Sequence, residues 1–493
     1  MSEPPQRAGQ SGENERFDAT DRFGAEDRPG AAERPGGTGE FDVIVVGARC
    51  AGATLGALLA RRGLRVAVLD QATKIRSTLS SNILQADSLA FLNRLGVMER
   101  LRAAGVTTMS HVDMRLEEFR CQVAFPQESG DVGGAACIRR EVLDPVLVDA
   151  ARASGAEVRL GTRVAGVIRE AGRVTGVRAV SGGVETRLRA RLVVGADGRN
   201  SKVAEVCGSR MYHVSPGERS YYWTYFEGAD TGPRSTFVFH RWGDRHMLGG
   251  PADNGLYIVG VSPQRHERES FRADLDGSVR AHAMRCAPIA EALSGATRAS
   301  RVYGIRRFSG YFREAAGAGW VLLGDAGHFK DPAGGRGIGD AFHQAERLAD
   351  AVGDTIGSGV LLDRAVAEFG RWRDRTYAEY YGLAADLGVA GPIAGIVPRV
   401  VRGLHARGKV DGVLNLLSHR ASVLEVLTPA RVLGATGGHL LRAPGQRRAT
   451  LGELGRLATT EIRRRNAMRK PVFQSGPAPR PVQQDTPEPE LSQ

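Results

Sequence analysis

The chain has 493 residues, 42% of them hydrophobic and 25% charged, which is enough for two or three globular domains with a sizeable core. No apolar run approaches the ~20 residues of a membrane span, and the first residues lack the apolar stretch of a secretory signal. Five scattered cysteines, with no CxxC or Cys/His cluster, argue against a metal site or a disulfide framework and suit a cytoplasmic location. The net charge of +12 is a weak pointer to nucleic acid, because only five of the 67 basic residues are lysine and the arginine excess reflects composition as much as binding.

Residues 1–40 are rich in Gly, Pro, Glu, Asp and Arg and almost free of aliphatic residues, so they are expected to be disordered. Phe41–Val46 then has the composition of a buried parallel strand. It runs through Gly47-Ala-Arg-Cys-Ala-Gly52 into a helical stretch ending near Arg62, and a second strand, Arg65–Leu69, ends in Asp70. This strand–turn–helix–strand unit is the one that holds a dinucleotide. Gly47 permits the tight turn, Gly52 lets helix and strand approach, and the helix N-terminus offers free N–H groups to a pyrophosphate. Asp70, 23 residues after Gly47, stands where a carboxylate accepts ribose hydroxyls. Arg49 replaces the usual middle glycine, and its guanidinium can add a phosphate contact.

Residues 111–125 alternate like strands, and so do several runs within 209–309 that include YYWTYFE, which predicts a mostly antiparallel sheet. Tyr221, Trp223 and Tyr225 share one face of their strand, with Tyr222 and Phe226 on the other. Two glycine-rich segments each follow a short buried strand. Arg191–Val194 leads into Gly195-Ala-Asp197-Gly198, and Trp320–Leu323 leads into Gly324-Asp325-Ala-Gly-His328-Phe-Lys-Asp-Pro332-Ala-Gly-Gly335-Arg-Gly337. A helix is expected over Asp340–Val352, and short helices follow Tyr381. The stretch 442–470 carries nine basic and two acidic residues and reads as a solvated surface or flexible tail.

The last two segments resemble the GADG and GDA-H-P-G-G motifs of the single-component FAD monooxygenases typified by para-hydroxybenzoate hydroxylase. The resemblance covers roughly 41–350 in order and spacing. It extends to Arg140, on a helix whose arginine faces the FAD phosphates in that family, and to Val164, whose backbone meets the adenine. It implies Asp325 on the ribitol, Pro332, Gly335 and Gly337 against the isoalloxazine ring, and Asp197-Gly198 between flavin and nicotinamide donor. The implied fold is a Rossmann-like α/β FAD-binding domain with an inserted, mostly antiparallel β-sheet substrate domain and a helical C-terminal region. Its pieces are 41–110, 138–208 and 310–380 for FAD, 111–137 and 209–309 for substrate, 381–460 for the helical region, and a tail over 461–493.

Membership in that family implies FAD reduced by NAD(P)H, a C4a-hydroperoxide formed with O2, and oxygen transfer to a small-molecule organic substrate. That substrate is expected to be bulky, aromatic or polyketide-like, in the manner of secondary metabolism, with Tyr221, Trp223 and Tyr225 as candidate contacts. No second glycine fingerprint follows a later strand, so a separate NAD(P)H domain is not expected. Flavin-dependent halogenases share the cradle but carry a WxWxIP segment, which here corresponds to His246–Pro251 with both tryptophans missing, and a catalytic lysine, for which only Lys74 is near. Geranylgeranyl-reductase-like enzymes are the main alternative, and a non-catalytic flavin-binding protein is a third reading. The loop Thr78–Leu84 lacks the arginine that many aromatic hydroxylases place near the flavin. No residue is assigned as catalytic acid or base, and His328 is read as a structural member of its loop.

Overall fold

Strand β1 (Glu40–Val46) is buried along almost its whole length, and it forms the axis of a parallel sheet. The chain turns through Gly47 into helix α1 (Cys50–Arg61) and returns as β2 (Val66–Leu69) beside β1. Helix α2 (Arg140–Ala153), strand β3 (Glu157–Arg159) and strand β4 (Val184–Gly195) follow. With Trp320–Leu322 these strands stand in the order 320–322, β4, β1, β2, β3, each parallel to its neighbour. Strand β4 is longer than its apolar core 191–194 implies, because its first half pairs antiparallel with Arg173–Ser181. The turns after β1, β2, β4 and Leu322 all lie at one edge of the sheet, where ligands of such sheets bind. The computed structural model describes residues 40–75, 80 and 82–474. Residues 1–39 of the segment expected to be disordered, residues 475–493 of the expected tail and part of the Thr78–Leu84 loop lie outside the described residues.

A second sheet holds β5 (Tyr221–Glu227), β6 (Thr236–Trp242), β7 (Arg245–Pro251) and β8 (Tyr257–Ser262) in the antiparallel order β5-β8-β7-β6. The hairpin His111–Leu116 and Phe119–Ala124 extends it, with 111–116 running parallel to β6. Tyr222, Phe226, Val238 and Val261 face three helices, Arg268–Ala273, Leu275–Ala283 and Ala287–Ala292, and form one core with them. Each of those helices is nine residues or fewer, short enough to leave no clear period in the sequence. The opposite face carries Trp223 and Tyr225.

Helix α3 (Gly337–Gly353) packs on α1, and helix α4 (Gly359–Gly388) runs unbroken across the boundary expected near residue 380. Two buried arginines, Arg241 of β6 and Arg219 just before β5, grip the end of α4. Arg241 Nη2 donates to the carbonyls of Val389 at 2.8 Å and Gly391 at 2.5 Å, and Arg219 Nη2 donates to Val389 at 2.8 Å. Carbonyls beyond a helix C-terminus lack partners within the helix and carry its partial negative charge, so guanidiniums suit them. Helix α5 (Arg447–Arg469) occupies the basic segment read as a flexible tail and runs past the boundary expected at 460, with most of its side chains exposed. Among the described residues no helix is long and apolar enough to cross a membrane.

Candidate active site

The site begins at the turn after β1. Gly47 has φ +105°, and a Cβ placed on it would lie 2.4 Å from the Ala196 carbonyl oxygen, so both its backbone and its neighbour demand glycine. Asp70, at the end of β2, accepts hydrogen bonds from the Ala48 and Ala72 N–H groups at 2.8 Å each, which fixes the turn while its carboxylate borders the cavity. Gly52 does not reach the cavity. It lies behind the turn, where a Cβ would stand 1.8 Å from the Gly47 carbonyl oxygen. Arg49 and Arg140 both line the cavity and share one fully buried carboxylate, Asp144, at 3.3 Å and 2.8 Å. Sequence reasoning missed Asp144, although its i,i+4 spacing from Arg140 on α2 was a legible signal.

The later segments close on the same space. Val164, Asp197, Gly198, Asp325, Pro332, Gly335 and Gly337 all border one cavity of about 620 Å³. Asp197 Oδ2 accepts the Lys202 and Val203 N–H groups at 2.7 and 3.2 Å, while its Oδ1 has no partner among the described residues. The Asp325 carboxyl has no hydrogen-bond partner among the described residues, and burial pushes it up to about 6. Pro332 opens a tight turn capped by Asp331, which accepts the Ala333 N–H at 2.9 Å, and Gly335 follows with φ +64°. Gly337 begins α3, and a Cβ there would meet nothing within 4 Å.

On the side of the second sheet, Tyr221 and Trp223 are in the cavity wall. Tyr225 is not: its hydroxyl meets the Asn82 side chain, and its ring packs with Ile83 and Cys137. Tyr221 donates to Asp331 Oδ1 at 3.1 Å, and burial pushes the Asp331 carboxyl up to about 6. His328 also lines the cavity, with its ring 4.4 Å from that of Phe312, in keeping with a packing role. Sequence reasoning also missed the buried charges behind the third motif. Lys330 pairs with Asp340, the Nδ1 of His419 lies 3.2 Å from that carboxylate, and Arg336 makes a two-pronged contact with Asp87 at 2.6 and 2.7 Å. Burial pushes the Asp340 carboxyl up, but Lys330 and His419 outweigh it and hold the group well below the usual carboxylate range. Lys74 is not in the cavity wall.

These walls fit a flavin dinucleotide. Two guanidiniums, Arg49 and Arg140, stand beside a glycine turn and a helix N-terminus, a setting for a pyrophosphate. The Asp325 carboxyl, Asp197 Oδ1 and the unpartnered Gln344 Nε2 are buried polar groups in need of a ligand's hydroxyls and carbonyls. The open backbone at Gly337 leaves room for a flat ring, and α3 starts there.

Known proteins agree with this geometry. Residues 40–369 match a protein family described as FAD binding domain. A 6-methylpretetramide 4-monooxygenase of Streptomyces rimosus is 27% identical over 62% of this chain and 73% of its own length. A digeranylgeranylglycerophospholipid reductase of Methanosarcina acetivorans is 26% identical over 68% of this chain and 81% of its own. The structure of the flavin-dependent brominase Bmp2 superposes with a TM-score of 0.64, covering 82% of this chain and all of that one, at 18% identity, a likeness of fold alone.

Proposed function

Because this chain belongs to the FAD-binding-domain family and is an FAD-dependent oxidoreductase, we propose that it is a monooxygenase. In this reading it takes electrons from NAD(P)H and an oxygen atom from O2 to hydroxylate or epoxidise a bulky, flat organic substrate, aromatic or polyketide-like. The observation that carries the reading is the continuity of the cavity, which runs from Asp70 and Arg140 past Gly335 and Gly337 to the aromatic wall at Tyr221, Trp223 and Phe239. Cofactor cradle and substrate room are therefore one space, as direct transfer between flavin and substrate requires.

Bound FAD supplies the electron carrier and, once reduced, the activation of dioxygen. The protein supplies placement. Arg49 and Arg140, oriented by Asp144, hold the pyrophosphate, Asp70 and Asp325 accept sugar hydroxyls, and Val164 borders the adenine end. The N–H groups at the start of α3 stabilise negative charge on the ring edge. Asp197 and Gly198 face the approach of the nicotinamide donor. Tyr221 and Trp223 form part of the substrate floor, and the Tyr221–Asp331 hydrogen bond ties that floor to the loop carrying Pro332. Five unpaired thiols, three of them buried, suit the reducing cytoplasm.

The resemblance to a reductase of similar coverage supports a second reading, in which the same cradle delivers hydride to a double bond. Reaction with aromatic and polyketide-like substrates, followed by oxygen uptake and product mass, separates the two. Gain of one oxygen atom with NAD(P)H and O2 consumed is the expected result, whereas gain of two hydrogens without oxygen would overturn it.

A further inference from the structure

One group in the substrate wall has no task in this account. His246 on β7 is 3% exposed and borders the cavity, and neither of its ring nitrogens has a hydrogen-bond partner among the described residues. A buried polar group without a partner is disfavoured unless a ligand completes it.

Its neighbours on every side are fixed by the ladder. Arg241 on β6 and Ser262 on β8 stand directly across from it, the Phe239 ring lies edge-on at 5.0 Å, and the Tyr221 ring lies edge-on at 5.9 Å. The charged groups nearby are Arg219 and Arg241, both occupied by carbonyls of 387–391, while the Tyr221 hydroxyl is occupied by Asp331. Burial first, then these two cations, holds the imidazole well below its usual range, so it stays neutral with one bare nitrogen. The next row of the sheet is Trp223, Gly260 and Leu248. The Leu248 side chain covers Gly260, where a Cβ would lie 2.6 Å from Leu248 Cγ, so Leu248 and Trp223 form an apolar floor beside the imidazole.

We infer that His246 selects and positions the substrate, its bare ring nitrogen accepting a hydrogen bond from a hydroxyl on the edge of a flat fused-ring molecule lying over Trp223 and Leu248. The paired cations at Arg219 and Arg241 favour oxygen that carries partial negative charge, so the hydroxyl is phenolic or enolic and a cationic amine is rejected. His246 is thus a positioning and specificity residue. The inference deepens the monooxygenase reading and rests on it for taking this wall as the substrate side.

The test is equilibrium binding by calorimetry to the oxidised holoenzyme, with naphthol against methoxynaphthalene and hydroxyanthraquinone against its methyl ether. Wild type is expected to prefer the hydroxyl compound by about tenfold or more, because the ether cannot donate to the imidazole. His246→Phe and His246→Leu should bring that ratio close to one while retaining FAD content. His246→Gln, which keeps an acceptor, should restore part of it, an effect that simple packing does not produce. Equal binding of the two partners in wild type, no binding of either pair, or an unchanged ratio in whichever apolar variant folds would each overturn the assignment. The titration needs neither NAD(P)H nor oxygen, so its failure is distinct from a failure of oxygen transfer.

Discussion

A carboxyl enclosed without a hydrogen-bond donor holds its proton to unusually high pH, and Asp325 is such a group, shifted by burial up to about 6. Its ordinary value near 4 belongs to the unfolded chain. In the protein without flavin it therefore favours folding below about pH 4, and that contribution is lost as pH rises through about 6. Hydroxyls of bound FAD would donate to the ionised form and lower its pKa again. FAD affinity should consequently rise as pH is raised from about 5 to 7, with proton release on binding. Fluorescence titration of the apoprotein with FAD at several pH values checks this, and Asp325→Asn should flatten the profile and weaken binding at neutral pH by roughly tenfold. A pH-independent affinity in the wild type would contradict the assignment. Beside the Gly47 turn, Asp144 is fully buried between Arg49 and Arg140. Asp144→Asn should destabilise the apoprotein by roughly 3 kcal/mol, since it leaves Arg140 without its carboxylate. Added FAD should raise the melting temperature of this variant more than that of wild type, because the pyrophosphate replaces the missing charge. A smaller rise would place the pyrophosphate elsewhere.

Elements built from local pattern were legible, and those fixed by distant partners were not. The β1–turn–α1–β2 unit is set by residues within 30 positions of one another, and Gly47 and Asp70 stand where the spacing puts them. Alternation also assigned the two faces of β5, with Tyr222 and Phe226 packed beneath helices. It did not foretell that Tyr225 is covered by Asn82, because that contact spans 143 residues of sequence. The boundary placed near 380 falls inside α4, because between Thr376 and Gly388 only Gly382 weakens a helix. The end of α4 is instead fixed from the outside by Arg219 and Arg241, which no local pattern announces. Arg241 is fully buried, and burial and then the field of Arg219 bring its pKa down to about 10. Arg241→Met should lower stability by about 3 kcal/mol in denaturant unfolding, because it strips several buried carbonyls of their donors. Arg241→Lys should recover only part of that loss, since a single ammonium placed for Val389 and Gly391 leaves the Leu387 and Gly243 carbonyls, served by Nε and Nη1, without their donors. A loss below about 1 kcal/mol would show that α4 is held by packing alone.

At the scale of the molecule, two sheets meet across one cavity, and the division of labour follows from their chemistry. The parallel sheet ends in turns whose motifs are local and therefore readable: glycines at Gly47, Gly335 and Gly337, and carboxylates at Asp70 and Asp325. The antiparallel sheet faces the cavity with rows of side chains assembled from four strands, so that His246, Gly260 and Phe239 become neighbours only on folding. The wall of glycine turns was accordingly visible in the sequence, while the wall formed by the antiparallel sheet was visible only as aromatic strands. Oxygen transfer in this arrangement requires a substrate held over that second sheet. Its most direct test is turnover of a bound polycyclic phenol with NAD(P)H under dioxygen labelled with heavy oxygen, read by product mass. One labelled oxygen atom in the product for each molecule converted is the predicted result, and an unlabelled product that has gained two hydrogens would contradict it.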